Sequence, residues 1–337
     1  MPELDRRAFL KGAAIAPAAW ATLRSRSQAA QFVFRYGNDV SENSPLNLRI
    51  RQAADRIQAA TDGRFVLQIF PGGQLGSDVD MLSQLQSGAI DFYTASGIVL
   101  STLVPLTEIN ALGFAFRDHG QVWSAMDGKL GDVIRSKIEA AGLHPIRRIF
   151  DIGFRQVTAS TRPISDPDSF RGFKIRIAPS QLGVSMFKAL DAEPTSLKSA
   201  EVYAALQTGA IDGQENLLSV IAAARLYEVQ KYASMTNHIW DGFWMVCNGR
   251  AWNGLPEDIR QVVSQEFNRA AEEDRNDMAA IDSSLRDQLE SKGMVFNVPD
   301  RARFRAALAD AGYYEQWRRL VGGEAWDALE SYVGRLD

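Results

Sequence analysis

Two arginines and an asparagine stand at the edges of strand-like runs in the middle of the chain. Arg155 lies in Gly153-Phe154-Arg155-Gln156, Arg176 in Gly172-Phe173-Lys174-Ile175-Arg176, and Asn216 in Asp212-Gly213-Gln214-Glu215-Asn216. Each arginine has apolar, sparsely charged neighbours, where an unpaired guanidinium is costly, so something anionic should face it. That partner is either a ligand carboxylate or an internal acid such as Asp151 or Glu215. A guanidinium fork grips a carboxylate through two parallel hydrogen bonds, which lysine cannot reproduce. Asn216 reads either as an amide donor to the same carboxylate or as a helix cap before Leu217-Leu218-Ser219.

The rest of the chain offers little reactive chemistry. His119, His144 and His238 do not stand at metal-ligand spacing with one another or with Cys247. Cys247 and His238 fall in one strand-like run, and Cys247, beside Met245 and Val246, reads as core. Gly72-Gly73-Gln74-Leu75-Gly76-Ser77 lacks the Gly-Lys-Ser/Thr ending of a phosphate loop and reads as a turn into a helix. Asp212, Gln214 and Glu215 point in different directions on a strand and make a poor cation site. No catalytic residue, metal or cofactor is expected.

The elements that must position the three polar residues read as α/β. Phe32 to Tyr36 alternates as a strand, and Leu46, Ile50, Ala53, Ala54 and Ile57 follow at helical spacing. Phe65 to Phe70 is a second strand closed by Pro71-Gly72-Gly73, Met81 to Leu85 a helix, and Ile90 to Tyr93 a third strand. Val122 to Ala141 reads as helical and Phe154 to Thr158 as extended. Then come a strand at Phe173 to Ile177, helices at 180–190 and 200–208, a strand at 210–213, and a long extended run within 229–248. Pro256-Glu257-Asp258 opens a helix, with acids near the positive end of its dipole, that persists to about Lys292. Such alternation predicts an α/β fold with a parallel-rich sheet carrying helices on its faces, each lobe of a two-lobed chain a mixed sheet flanked by helices with a hinge between, and ligands held beyond the C-terminal strand ends.

The N-terminus bears on the compartment. Asp5-Arg6-Arg7-Ala8-Phe9-Leu10-Lys11, an apolar run from Ala13 to Leu23, and Ser27-Gln28-Ala29-Ala30 read as a twin-arginine export signal, residues 1–30. The apolar run is short of the ~20 residues a membrane span needs. The whole chain carries a net charge of −4, and without residues 1–30 it would carry 32 basic and 39 acidic side chains, a net −7. That balance argues against nucleic-acid or polybasic membrane binding, so any anion site must concentrate positive charge locally. About 307 residues exceed what one core usually organises, which predicts two lobes.

The arginine-bearing segments, in this order and spacing, resemble those of the solute-binding proteins of tripartite ATP-independent periplasmic (TRAP) transporters, the DctP family. Tyr203-Ala204-Ala205-Leu206-Gln207-Thr208-Gly209-Ala210-Ile211-Asp212-Gly213-Gln214-Glu215-Asn216 is closely similar to that family's signature, and the likeness runs from about Phe32 to the C-terminus. It implies a periplasmic receptor that closes two lobes over a small organic anion and hands it to small and large integral membrane subunits. It also implies that Arg176 pairs with the ligand carboxylate, that Arg155 supports it, and that Asn216 touches it. Lobe I is expected at 31–152 plus about 241–281, and lobe II at 153–240 plus about 282–337, with the long helix spanning both. Polar residues after the lobe I strands, Asn38, Asp39, Asn43, Gln74, Asp78 and Ser96, would read the rest of the ligand, with Trp240 as an aromatic wall or inter-lobe core. Sialic-acid binders of the family carry glutamate where this chain has Ser96, and the polar loops suit a sugar acid such as a hexuronate or aldonate. A keto, hydroxy or aromatic acid, a receptor feeding a signalling protein, an ATP-driven transporter's binding protein and an exported enzyme are the competing readings. The protein is expected to be a monomer.

Overall fold

The computed structural model describes residues 30–178 and 180–337, so the export signal expected at 1–30 lies outside the described residues save for Ala30. Among the described residues there are ten strands: β1 (Phe32–Gly37), β2 (Phe65–Phe70), β3 (Phe92–Ser96), β4 (Leu143–Pro145), β5 (Phe150–Ala159), β6 (Lys174–Ile177), β7 (Glu193–Ser196), β8 (Gly213–Asn216), β9 (Tyr232–Asn248) and β10 (Val295–Asn297). They belong to one hydrogen-bonded sheet in the order β2-β1-β3-β9-β5-β8-β6-β7, with β4 and β10 also pairing with β9.

At one end β1 runs parallel to β2 and β3; at the other β6 runs parallel to β7 and β8. The middle is antiparallel, because the long strands β5 and β9 pair with each other along most of their length. Each half is thus a mixed sheet, as expected, and the two halves join in one hydrogen-bonded sheet through the shared strands β5 and β9. That pairing is irregular in two places, between Asp151 and Gly153 and between Arg155 and Val157. Gly153 adopts φ +109°, a conformation that glycine takes without steric cost.

Apolar side chains separate into three clusters. One packs Phe34, Leu46, Ile50 and Phe92 against Ile259, Val263 and Phe267 of the helix Glu257–Ser291. A second joins Leu206, Ile211, Leu218 and Ile221 to Leu289, near the end of the same helix. This helix has 35 residues, which at 1.5 Å per residue makes it about 52 Å long. The third and largest cluster lies on the other side of the sheet and includes Trp240, Trp244, Phe170, Phe187, Tyr313, Tyr314 and Trp326. Cys247 is buried on β9, and burial pushes its thiol well above its usual range.

Two expected elements differ. The helix expected over 122–141 is two helices, His119–Met126 and Lys129–Ala140. Tyr332 of the last helix, Gly323–Val333, inserts at the break, where its hydroxyl accepts from the Lys129 N–H (2.9 Å). The strand expected at 210–213 begins at Gly213 and runs to Asn216, because Asp212 is fastened to the start of β6. Its N–H donates to the Lys174 carbonyl (2.8 Å), and its carboxylate accepts from the Lys174 N–H (2.9 Å). Hence the signature segment is itself a site strand.

Gly213 has no room for a side chain: a Cβ there would lie 2.1 Å from the Thr158 carbonyl oxygen and 2.6 Å from the Phe173 ring. Gly213→Ala should destabilise the fold by roughly 1–3 kcal/mol, the usual penalty of overpacking. Urea denaturation that leaves the transition midpoint unmoved would refute this.

Candidate anion-binding site

Strands β5, β8 and β6 are neighbours, so Arg155, Asn216 and Arg176 stand on three adjacent strands. The pairings Gln156 with Asn216 and Arg176 with Gln214 put Asn216 on the same face as Arg176, whereas Arg155, one residue before Gln156, is on the face of Glu215. The two arginines therefore have different surroundings.

Arg155 has an internal partner. Its Nη2 donates to Glu215 Oε1 (2.9 Å) and to the Glu215 carbonyl (3.1 Å), while Nε donates to Oε2. His238 completes the group, with Nε2 3.2 Å from Glu215 Oε2 and Nδ1 2.8 Å from Thr236 Oγ1. Burial by itself would raise the Glu215 carboxyl, but the Arg155 guanidinium and the His238 hydrogen bond outweigh it and hold the group at about 2. Burial keeps His238 below its ordinary value, which favours the neutral ring donating its proton to Glu215. Of the two internal acids named from sequence, Glu215 is the partner. Asp151 instead meets His119 (Nε2 to Oδ2, 3.2 Å) and accepts from Trp240 Nε1 (2.9 Å).

Arg176 is 2% exposed, and among the described residues no carboxylate lies within ion-pair distance. Its Nε and Nη2 both donate to the Leu197 carbonyl, at 3.0 and 2.6 Å. Nη1 has no partner among the described residues. Burial lowers the Arg176 pKa, and only Glu215 opposes this, at long range. Here a positive charge is held in a dry place by a neutral oxygen. Beside it, Gln214 is fully buried; its Nε2 donates to Thr158 Oγ1 (2.8 Å), and its Oε1 has no partner among the described residues. Asn216 is half-buried. Its Oδ1 accepts from the Leu217 N–H (3.1 Å), whereas the following helix, Leu218–Ala223, takes Leu217 as its cap residue.

The expected lobe I residues divide. Asn38 is fully buried, and its amide is engaged internally: Nδ2 donates to the Tyr36 hydroxyl (2.9 Å) and Asn47 Oδ1 (2.8 Å), while Oδ1 accepts from the Val40 N–H (2.9 Å). It ties β1 to the loop after it. Asp39, Asn43 and Gln74 are exposed. Desolvation, with a contribution from nearby Asp78, pushes the Asp39 carboxyl up to about 6. Asp78 accepts from the Tyr93 hydroxyl (2.8 Å). Ser96 caps the short helix Gly97–Leu100, its Oγ accepting from the Val99 N–H (3.3 Å). Trp240 is buried core, edge-on to Trp123 at 5.4 Å and to Phe116 at 6.4 Å. A groove of about 930 Å³ is lined by Ile98, Ser101, Ser180, Lys188 and Ser196, the last of these preceding Leu197 in the chain.

The Leu197 carbonyl and Thr236 carry no signal in the sequence, since a backbone acceptor has no residue signature; Gln214 reads there only as a poor cation ligand, and His238 only as a residue without metal-ligand spacing.

Two α/β halves sharing long crossing strands, with a buried guanidinium lacking a carboxylate, define a two-lobed solute receptor. The chain matches the family model DctP, bacterial extracellular solute-binding protein family 7, over residues 36–318, and it belongs to that family. A solute-binding protein of Roseobacter denitrificans is 32% identical over 303 residues, covering 90% of this chain and 92% of its own. Its crystal structure with bound L-galactonate superimposes with a TM-score of 0.75, covering 90% of this chain and 99% of that one. The 2,3-diketo-L-gulonate-binding periplasmic protein of Escherichia coli is 30% identical, covering 86% of this chain and 88% of its own. A TRAP periplasmic solute-binding protein of Ochrobactrum anthropi, 27% identical, superimposes with a TM-score of 0.87, covering 90% and 95% of the two chains. The protein is thus a TRAP solute-binding receptor, one of a family of periplasmic substrate-binding proteins.

Proposed function

We propose that the receptor captures a sugar acid, a hexuronate or aldonate, with the carboxylate on Arg176. The observation that carries this is the buried Arg176 guanidinium, whose held position rests on a neutral carbonyl while its neighbour Arg155 is neutralised by Glu215. An anion between the strands supplies the missing counter-charge, and the Asn216 amide, two residues along β8 from the strand partner of Arg176, donates to it. Asp39, Gln74 and Ser96 face hydroxyl groups from lobe I, and a carboxylate such as Asp39 favours a polyol over an apolar tail. Asn38 acts indirectly, by shaping the loop that carries Asp39. Sugar acids bound by relatives support the choice of class.

In this reading the protein is a monomeric binding protein without catalysis, exported by the twin-arginine route, and it delivers its ligand to small and large membrane subunits. Lobe I comprises 31–152 plus about 241–281, and lobe II 153–240 plus about 282–337. Ligand contacts on both lobes favour closure, since a ligand shifts an equilibrium only through its differential affinity for the two states.

A thermal-shift panel of L-galactonate, D-galacturonate, D-glucuronate, a keto acid, succinate and an aromatic acid tests the class. A sugar acid at a hundred times its Kd should stabilise the protein by about 2.7 kcal/mol through mass action. A shift with succinate or the aromatic acid and none with the sugar acids would overturn it.

A further inference from the structure

The pairing of β5 with β9 breaks down next to Arg155. Between the pairs Arg155–Ile239 and Val157–Ser234, β5 has only Gln156 whereas β9 has Met235, Thr236, Asn237 and His238. The excess length is taken up by a turn at Asn237, which adopts φ +43°. Asparagine tolerates this left-handed region better than most residues but still holds it at a cost. The Gln156 side chain closes the gap. Its Oε1 accepts the Asn237 N–H (3.0 Å), and its Nε2 donates to Asn237 Oδ1 (2.5 Å) and to the Phe154 carbonyl (3.1 Å). Gln156 is 3% exposed. Behind it lies a cavity of about 580 Å³ lined by Gln156, Asn237, Phe154, His119 and Asp282, so no packed wall backs the turn on that side.

The next residue after the turn is His238, which reaches Glu215, which in turn grips Arg155. We propose that Gln156 is a positioning residue of the anion site: by fastening the left-handed turn at Asn237 it fixes His238 on Glu215, and through Glu215 it sets Arg155 beside the ligand carboxylate. Gln156 itself touches no ligand. This inference rests on the carboxylate-binding reading of the site.

Gln156→Ala leaves the Asn237 N–H without its acceptor and the turn without its tie. Glycine at 237 takes a positive φ without strain, so Asn237→Gly should restore the turn in the Gln156→Ala background, whereas damage from a mere packing defect would remain. NMR of the His238 imidazole nitrogens reads the arrangement without any ligand. Gln156→Ala should shift these signals away from their wild-type positions, and Gln156→Ala/Asn237→Gly should return them. Calorimetry with L-galactonate should show affinity falling about tenfold in Gln156→Ala, the scale of one or two lost hydrogen bonds, with part of it regained in the double variant. Unchanged imidazole signals in Gln156→Ala, or no recovery in the double variant, would overturn the proposal. Arg176→Ala serves as the control: full L-galactonate affinity in that variant would defeat the site reading itself, while the imidazole signals still decide the role of Gln156.

Discussion

Arg176→Ala is expected to weaken L-galactonate binding by ~2–5 kcal/mol, the cost of truncating one partner of a buried charged pair, which is between ~30-fold and several thousand-fold in Kd. The guanidinium is anchored through Nε and Nη2 to the Leu197 carbonyl, so its remaining donors are held in place before any ligand arrives. Little side-chain entropy is then lost on binding, which raises the yield of each contact. Arg176→Lys keeps the charge but has one donor centre to divide between the carbonyl and the anion, and should recover only a minor part of the affinity. The unliganded Arg176→Ala protein should be no less stable than wild type, because removing a buried cation without a counter-ion relieves a desolvation cost. Calorimetry decides the first point and urea denaturation the second. Equal affinities for wild type and Arg176→Ala would sink the assignment.

Glu215→Ala should have the largest effect on folding, about 3–5 kcal/mol, because it leaves the Arg155 guanidinium buried and uncompensated. Glu215 is 3% exposed, so solvent does little to soften the loss. A pH signature separates this from a packing defect. The Glu215 carboxyl is depressed in the folded state, to about 2 from an ordinary 4.5. Its contribution to stability is therefore fully present above pH 4.5 and is lost as the pH falls toward 2. Glu215→Gln keeps the shape and removes the titration. The stability gap between wild type and Glu215→Gln should be wide at pH 6 and narrow steadily below pH 4.5. A gap that stays constant between pH 6 and pH 3 would show that Arg155 does not depend on this charge.

The parts of this molecule that were legible in the sequence are those where local pattern and tertiary structure agree. Phe32 to Tyr36 alternates and is a strand; Ile259, Val263 and Phe267 recur at helical spacing and line a helix. The break after Met126 was not legible, because its cause, the Tyr332 hydroxyl, comes from more than two hundred residues away in the chain. The single sheet was hidden for a similar reason: pairing along β5 and β9 depends on register, which alternation alone does not fix. At the site, the arginines stood out because charge is rare in apolar runs, and Glu215 could be named as a partner for one of them. Sequence could not say that only Arg155 takes it. That follows from register: Arg176 pairs with Gln214, so Glu215 points to the opposite face of the sheet, where Arg155 reaches it, and Arg176 is left against a backbone oxygen. Asn38 misled in the opposite direction, since a polar residue after a strand reads as a loop contact until Tyr36 and Asn47 are seen to use its amide.

The helix Glu257–Ser291 packs its first half against one end of the sheet through Ile259, Val263 and Phe267, and its last turns against the other through Leu289. Its interior carries neither proline nor glycine, the residues at which helices yield most readily. If the lobes close as proposed above, this rod would have to flex along its length, as a leaf spring mounted across the joint, and would return that work as a restoring force when the ligand leaves.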